Sequence, residues 1–475
     1  MSTPNQLPKD LSFISSIRSI AVIGASKKRN YFFLKTFHDS FIGKIYAIKP
    51  GGEKIGEFPD VDVYERVTDV PDDEPVDFAF IEVPREHVPQ VIGDCAAKGV
   101  KLASIYSSGF ADAGTDEGRD LQEEVLQAAS GTTRLLGPNG MGLYYPRLGI
   151  RWRPSLPQVY GTVGLIVQSG GLCNLLIHGL AAEGLPISKA FSIGNAADIN
   201  AIDVLSYFKD DPETSVIVVY LEGLPAGRGR QFMDVLSSCE KPVIFVKGGK
   251  TAAGSRAVRS HTATVAGVSE IWTAVVRQVG GIPAETFDDI VSAVKFLKAV
   301  GQVPIGNACM LTLSGGYAVI CSDVLTGHGI VIADFSNQVR EALAGILNSV
   351  GTSINNPIDI GGFIYDVDKI EAILDIVLED GGIDGVIFEI TPVYIAAQMR
   401  GDSLGVELAP MLDRVKQRHR KPILSIVENV GYDDIKHDLK RDLTALGIPV
   451  YDDIMQVART LKSINGSKTR SPPTA

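Results

Sequence analysis

The sequence of 475 residues contains little histidine and little cysteine, seven residues of the first and five of the second. The cysteines stand singly and never form a C-x-x-C pair; they are Cys95, Cys173, Cys239, Cys309 and Cys321. Isolated cysteines in apolar surroundings argue against a disulfide scaffold and against a zinc ribbon, and they are typical of buried reduced thiols. We therefore expect no structural metal.

Long apolar runs and an excess of positive charge are also missing. No apolar run reaches the roughly 18 residues of a membrane-spanning helix, and the first ten residues lack the apolar core of a signal peptide. The formal net charge of −11 argues against a nucleic-acid partner. With 45% hydrophobic and 21% charged residues, the composition predicts a soluble cytoplasmic protein of about three domains, with no membrane partner.

Residues 10–148 are predicted to form a Rossmann-like domain, because short apolar runs alternate with helical segments. The predicted strands are Ser19–Gly24, Gly43–Ile48, Val76–Val83, Leu102–Ser107 and Arg134–Leu136. An α/β domain of this kind places its ligand beyond the carboxyl ends of the strands, so the loops that follow them are the candidate binding residues.

The loop after the first strand lacks the G-x-G-x-x-G motif of NAD-binding domains and reads Gly-Ala-Ser-Lys-Lys-Arg over residues 24–29. The second strand ends at Lys49, where an NAD-binding domain has an acidic residue for the ribose. Clustered cations suit a phosphate-rich ligand such as coenzyme A, which carries a pyrophosphate and a 3′-phosphate. A solvated basic loop is the alternative. An NAD-responsive protein is disfavoured by the basic end of the second strand.

Residues 149–300 combine three features that point to phosphoryl chemistry. Val163–Gly171 predicts a buried strand that enters a glycine turn and a helix, which presents free backbone amides to an anion. The apolar run Val216–Gly223 ends at Glu222, and a run of small residues further on carries His261. An imidazole can serve as base, metal ligand or nucleophile. An anion cradle, a carboxylate and a histidine together suggest a histidine that carries phosphoryl groups. The alternative is that the glycine segment only forms a turn and that Glu222 only caps one.

Residues 301–465 repeat the pattern of the preceding domain. Met310–Gly316 echoes Leu165–Gly171, and in each copy the following helix ends at a glycine. We therefore predict two successive flavodoxin-like domains, 149–300 and 301–465. The last residues, 466–475, contain two prolines and no apolar periodicity, and we expect a disordered tail or a surface extension there.

The order and spacing of the motifs resemble the α-type subunit of the NDP-forming acyl-CoA synthetases, such as ADP-forming acetate–CoA ligase, in the succinyl-CoA synthetase superfamily. The resemblance covers the chain from about Ile17 to Lys462. The stretches that carry it are Ala21–Ser26, Leu136–Gly142, Gln168–Gly171, Gly194–Asp198, Asp210–Thr214, Glu222–Gly223 and Ser260–Thr262.

The resemblance implies a role for each candidate residue. His261 would be the phosphohistidine, Glu222 its partner, and the amides around Ser169, Gly170 and Gly171 the phosphate cradle. The implied coenzyme A contacts are Gly24, Ala25, Ser26, Lys27, Lys49, Val83, Pro84, Ser107, Ser108 and Asn139. Gly140 stands where relatives commonly have cysteine. The implied reaction interconverts acyl-CoA, phosphate and NDP with acid, CoA and NTP, through an acyl phosphate and a phosphohistidine.

A nucleotide site is not recognisable in this sequence. No G-x-x-x-x-G-K loop occurs, and no further domain-sized segment follows residue 465. The resemblance therefore implies a separate ATP-grasp β subunit, in an αβ or α2β2 assembly, that binds ATP and ADP, or GTP and GDP, with Mg²⁺. A functional alternative of a different class is a catalytically silent protein that binds CoA or acyl-CoA and regulates or scaffolds another.

The acid that is activated cannot be read from the sequence. Two segments, Tyr144–Pro146 and Arg151–Arg153, mix aromatic and cationic side chains. Such a mixture suits a pocket for a carboxylate or for an aromatic acid, and it suits a domain hinge equally well.

Overall fold

The computed structural model describes residues 9–259, 269–347, 351–398 and 404–467. These residues form two compact units, one that extends to Glu285 and one that starts at Thr286. Three sheets of mainly parallel strands build the two units, with helices in the connections. The strands are continuous apolar runs because a parallel sheet that is covered on both faces buries every side chain, as in the fully buried Ser19–Ile23 and Val163–Val167.

The first sheet has six parallel strands in the order 3-2-1-4-5-6, which is the order of a Rossmann domain. Its strands are β1 Ser19–Ile23, β2 Lys44–Ile48, β3 Asp62–Tyr64, β4 Phe78–Ile81, β5 Leu102–Ile105 and β6 Arg134–Leu136. Its α-helices are α1 Phe32–His38, α2 Val88–Lys98 and α3 Asp116–Ala128.

The second sheet contains five parallel strands and one antiparallel edge strand. Its strands are β7 Gly142–Tyr144, β8 Val163–Val167, β9 Ile187–Ser192, β10 Val216–Leu221, β11 Val243–Lys247 and β12 Ile282–Pro283. Its helices are α4 Gly170–Ala182, α5 Ala201–Asp210, α6 Gly229–Ser238, α7 Ala252–Arg259 and α8 Ser269–Gln278. Counted from β8, the parallel strands follow the order 2-1-3-4-5 of flavodoxin-like domains.

The third sheet lies in the second unit and repeats the flavodoxin order, counted from β13. Its strands are β13 Asn307–Thr312, β14 Val331–Ile332, β15 Ile358–Asp359, β16 Gly385–Glu389, β17 Ile423–Ile426 and β18 Val450–Tyr451. Its helices are α9 Phe287–Ala299, α10 Gly315–Gly327, α11 Asn337–Ile346, α12 Val367–Glu379, α13 Pro392–Gln398, α14 Leu404–His419, α15 Asp433–Ala445 and α16 Ile454–Asn465. The short strand β15 pairs with the end of β13, outside the main strand order.

The predicted fold class is confirmed, and the structure adds one strand to the prediction. Strand β3 was not predicted, since its three side chains are only half-buried and give no apolar run. Helix α9 packs on α16 in the second unit, which starts at Thr286. A capping box explains where this helix starts, because Thr286 and Asp289 each accept a hydrogen bond from the other's backbone amide.

The cysteines agree with the expectation of buried thiols. All five cysteines are buried and unpaired. Burial raises the pKa of the Cys321 thiol to about 12, which keeps it protonated at neutral pH. Among the described residues, no helix is both long and apolar enough to cross a membrane.

Candidate functional site

A cleft of about 610 Å³ lies beyond the carboxyl ends of β1, β2 and β4. This is the point where the strand order of the first sheet reverses, and doubly wound domains bind their ligands there. Five of the predicted coenzyme A contacts line this cleft: Gly24, Ser26, Lys49, Val83 and Pro84.

The first loop needs a glycine at its start. Gly24 has a φ of +100°, and a Cβ on it would lie 2.9 Å from Val83 Cγ1 and 3.1 Å from the Val83 nitrogen. Ser26 then accepts a hydrogen bond from the amide of Lys28 and starts a short 3₁₀ helix. The loop therefore approaches the neighbouring strand end closely and turns its cations outward.

The cations of this cleft are Lys28, Arg29, Lys49 and Arg66. Their charge suits the phosphates of coenzyme A. The structure does not bring two predicted contacts into the lining. Ala25 is buried in the core, and Lys27 is exposed outside the cleft. Arg66 was missed because it follows β3, the strand that the sequence did not predict.

A second cleft, of about 520 Å³, joins the predicted coenzyme A residues to the predicted phosphate cradle. Val83, Pro84, Ser107, Ser108 and Asn139 line it together with Gly170 and Gly171. Gly140 also lines it, and a Cβ at that position would lie 2.5 Å from the Ser192 carbonyl oxygen. The close approach of β9 therefore leaves no room for a side chain at this position.

The phosphate cradle is the N-terminus of α4, directly after β8. Ser169 is the N-cap, and its Oγ accepts the Leu172 amide at 3.4 Å. The amides of Gly170 and Gly171 lie in the first turn of α4, where backbone amides have no acceptor within the helix. The helix dipole favours an anion at this end. A Cβ on Gly171 would meet no atom within 4 Å, so the Cβ position borders open space.

Glu222 lies beside the cradle at the end of β10, the strand that pairs with β8. Gln168 Oε1 accepts the amides of Glu222 and Gly223 at 2.8 and 3.3 Å, which fixes the carboxyl ends of β8 and β10 to each other. Glu222 Oε1 accepts a weak hydrogen bond from the Tyr220 hydroxyl at 3.4 Å, whereas the buried Oε2 has no partner among the described residues. One carboxylate oxygen is therefore available to a further donor.

His261 lies outside the described residues, between the end of α7 at Arg259 and the start of α8 at Ser269. The strand that precedes it, β11, pairs with β10. Lys247, the last residue of β11, donates from Nζ to the Glu222 carbonyl at 2.8 Å. The segment that leads from β11 to His261 therefore begins next to Glu222.

The sequence reasoning missed Glu82, the residue that follows β4 and lines both clefts. Its side chain is only 1% exposed, and neither carboxyl oxygen has a hydrogen-bond partner among the described residues. Burial raises the pKa of Glu82 to about 7, although Arg29 Nη1 at 3.5 Å partly opposes that rise. A carboxylate placed directly after a buried strand was the signal that could have identified it.

Replacing Glu82 with glutamine should stabilise the protein at alkaline pH only. Between the ordinary pKa of 4.5 and about 7, the folded protein holds a proton that the unfolded chain has released. The stability that Glu82 contributes therefore falls as the pH rises through this window, by about 3 kcal/mol in total. Urea denaturation of Glu82→Gln and the parent should give similar midpoints at pH 5 and a higher midpoint for the variant at pH 8.5.

The matched control for this prediction is Glu240→Gln, which neutralises an exposed carboxylate. The urea midpoint of Glu240→Gln should equal that of the parent at both pH values. A Glu82→Gln difference that is the same at pH 5 and pH 8.5 would show that the Glu82 carboxyl does not titrate in this window.

Comparison with known proteins gives matching descriptions for the two parts of this site. Residues 18–146 match the family model of a CoA binding domain, and residues 160–297 match that of a succinyl-CoA ligase like flavodoxin domain. The α subunit of ADP-forming acetate–CoA ligase II from Pyrococcus furiosus is 30% identical over 455 residues, which cover 94% of this chain and 96% of that subunit. The chain belongs to the ADP-forming acetate–CoA ligase family. This confirms the resemblance that the sequence motifs indicated.

Two further relatives of this ligase family bear on the architecture. ADP-forming acetate–CoA ligase II from Archaeoglobus fulgidus is 31% identical over 468 residues, and the chain spans 66% of the length of that protein. The solved dinucleotide-forming acetyl-coenzyme A synthetase 1 of Ca. Korarchaeum cryptofilum, in complex with phosphate and ADP, superposes with a TM-score of 0.80 at 29% identity. That match covers 96% of each chain.

Proposed function

We propose that this chain is the α-type subunit of an NDP-forming acid–CoA ligase that works through an acyl phosphate and a phosphohistidine at His261. The observation that carries the proposal is the 520 Å³ cleft, in which the loop ends of the first sheet face the helix N-terminus of the second. A thioester and a phosphate bound there would meet. The family's relatives, which are named as ADP-forming acetate–CoA ligases, favour this enzyme over a silent CoA-binding protein.

The first step exchanges the thioester for an acyl phosphate. Coenzyme A would lie with its phosphates near Lys28, Arg29 and Lys49 and its thiol end near Asn139. An oxygen of hydrogen phosphate attacks the thioester carbon, the C–S bond breaks, and the thiolate takes the proton of the phosphate. The amides of Gly170 and Gly171 hold the phosphate oxygens during this step.

The second step moves the phosphoryl group to His261. A neutral imidazole nitrogen attacks phosphorus, the P–O bond to the acyl group breaks, and the free carboxylate leaves. The imidazole becomes positively charged as the N–P bond forms. The free Oε2 of Glu222 is suited to accept the N–H of the other ring nitrogen, which holds the tautomer and offsets the charge. Acyl-CoA synthesis runs the same steps in reverse.

The last step requires a second protein in this proposal. The phosphoryl group passes from His261 to the terminal phosphate of ADP or GDP, and we assign the nucleotide and its Mg²⁺ to an ATP-grasp β subunit. The Pyrococcus furiosus relative is itself named as a subunit alpha, which supports a partner. We propose an αβ or α2β2 assembly in the cytoplasm.

The proposal is tested most simply by the half-reaction that needs no nucleotide. The chain, assembled with its ATP-grasp partner, is incubated with acetyl phosphate and coenzyme A, and acetyl-CoA is measured by chromatography. We expect acetyl-CoA to form without any nucleotide, because the acyl phosphate and the thiol meet in this chain's own cleft. A protein that binds coenzyme A tightly but forms no acetyl-CoA would be the silent binding module instead.

Replacing Gly171 with alanine should slow this half-reaction at least about tenfold without loss of stability. The added methyl group meets no protein atom within 4 Å and therefore projects into open space, which in this proposal is where the phosphate binds. Alanine also has a higher helix propensity than glycine, which offsets any cost to folding. The rate of acetyl-CoA formation and the thermal midpoint are measured on the same preparations.

Gly229→Ala is the matched control, since Gly229 starts helix α6 and its added Cβ also meets no atom within 4 Å. The control should keep the parent rate. Equal rates of acetyl-CoA formation for Gly171→Ala and Gly229→Ala would show that the phosphate does not bind at the N-terminus of α4.

A further inference from the structure

The buried carboxylate of Glu82 lies where the two clefts of the first unit meet. Glu82 follows β4 directly and lines both the cleft of about 610 Å³, here the first cleft, and the cleft of about 520 Å³, the second cleft. Its side chain is 1% exposed, and neither carboxyl oxygen has a hydrogen-bond partner among the described residues. A ligand that occupies both clefts therefore passes Glu82.

We propose that Glu82 holds the pantetheine arm of coenzyme A by accepting hydrogen bonds from the amide N–H groups of that arm. The arm joins the pyrophosphate to the thiol, and it carries two secondary amides and no charge. The inference rests on the coenzyme A site of the proposed function and does not depend on the phosphohistidine. It gives a role to a buried acid that the reaction scheme leaves unused.

The backbone holds Glu82 in place from both sides. The Glu82 amide donates to the Ile23 carbonyl at 2.9 Å, which ties the end of β4 to the end of β1. The Ser107 hydroxyl donates to the Val83 carbonyl, which ties the next residue to the loop after β5. Gly24 permits this close packing, because a Cβ on it would lie 3.2 Å from the Glu82 carbonyl carbon. A residue that is already held at the junction loses little freedom when a ligand binds.

Charge determines which part of coenzyme A this carboxylate can face. The phosphates suit the cations of the first cleft, which include Lys28 and Lys49. A carboxylate next to a phosphate would repel it, and burial strengthens that repulsion. Arg29 Nη1 lies 3.5 Å from Glu82 Oε2 with 58% of its side chain exposed, so its guanidinium separates the acid from the phosphate end. The uncharged arm is the part of the ligand that remains for Glu82.

Hydrogen-bonding capacity favours N–H donors opposite this acid. An ionised carboxylate only accepts hydrogen bonds. A buried carboxylate without a donor is costly, so a donor that reaches Glu82 contributes more than one at the surface. The pantetheine amides supply such donors where the ligand crosses from the first cleft to the second. The competing donor is the adenine amino group, which would place Glu82 against the nucleotide instead.

The test compares coenzyme A with adenosine 3′,5′-bisphosphate, which lacks the pantetheine arm. Binding of each ligand to the full chain, assembled with its ATP-grasp partner, is measured by titration calorimetry. Glu82→Leu removes both acceptors and should raise the Kd for coenzyme A at least about tenfold. The Kd for adenosine 3′,5′-bisphosphate should equal the parent value, which also shows that the variant is folded. Glu82→Gln keeps one acceptor oxygen and should raise the Kd for coenzyme A less than Glu82→Leu does.

Glu240→Leu is the control, because Glu240 is exposed and lines neither cleft. This variant should bind both ligands as the parent does. A parent-level Kd for coenzyme A in Glu82→Leu, or an equal loss for the two ligands, overturns the contact with the arm and leaves the proposed function standing. A parent that binds neither ligand overturns both proposals. The proposed function is judged separately by acetyl-CoA formation, and its failure alone would leave the contact between Glu82 and the arm intact.

Discussion

Glu222→Gln should slow phosphorylation of the protein by Mg-ATP and its partner at least about 100-fold. Glutamine keeps the size of the side chain but removes the charge that offsets the developing positive imidazole. An amide can also donate where a carboxylate only accepts, so it can hold the wrong tautomer. The acetyl phosphate half-reaction should keep its rate, because in our scheme it uses the amides of Gly170 and Gly171 and not His261. Rapid-quench measurement of protein-bound phosphate separates the two steps.

Two comparisons separate this role from a structural one. Glu240→Gln neutralises an exposed carboxylate and should leave both rates unchanged. The thermal midpoint of Glu222→Gln should stay close to the parent's, since the Gln168 hydrogen bonds go to the backbone amides of Glu222 and Gly223. Parent-rate phosphorylation in Glu222→Gln would show that the carboxylate is not the partner of His261.

Lys189→Met should destabilise the first unit by about 3–5 kcal/mol. Lys189 lies in β9 with a side chain that is 0% exposed, and its Nζ pairs with Asp211 at 2.9 Å and with Glu213 at 2.6 Å. Burial alone would raise the pKa of Glu213, but the hydrogen bonds from Lys189 and Tyr145 outweigh it and keep the pKa below its usual value. Methionine fills the space but leaves the buried Asp211 without its cation, while Glu213, which is 23% exposed, keeps only one ion pair, with Arg147.

The control is Lys44→Met, which removes an exposed ion pair between Lys44 and Asp62, each about half exposed. Surface pairs contribute little, so this variant should lose less than about 1 kcal/mol. The transition of the first unit is followed by urea denaturation at pH 7. If both variants shift the midpoint equally, the buried cluster contributes no more than a surface pair.

The architecture was largely predictable because local patterns and topology agree. Alternating apolar runs and helical segments predict parallel sheets, and the echo of Leu165–Gly171 in Met310–Gly316 predicts the two flavodoxin-like orders. Ser169–Gly171 and Glu222 were identified from the positions at which their strands end. The structure places both at the paired carboxyl ends of β8 and β10.

What the sequence could not show depends on contacts between distant segments. Arg153 reaches the same cavity as Phe32 and Phe33 only through folding, whereas its neighbours Tyr144, Tyr145 and Trp152 are buried in the core. Those three residues therefore do not form the pocket that their composition suggested. Glu82 directly follows a buried strand, as Glu222 does, but its burial and its lack of hydrogen-bond partners among the described residues became visible only in the structure.

The phosphohistidine is the central claim, and intact-mass spectrometry at neutral or alkaline pH tests it most directly. The chain is incubated with its ATP-grasp partner and Mg-ATP, beside a His261→Ala variant. We predict one acid-labile phosphoryl group on the parent chain and none on His261→Ala. A parent chain that gains no phosphoryl group with a competent partner, or a His261→Ala chain that gains the same group, would contradict the account.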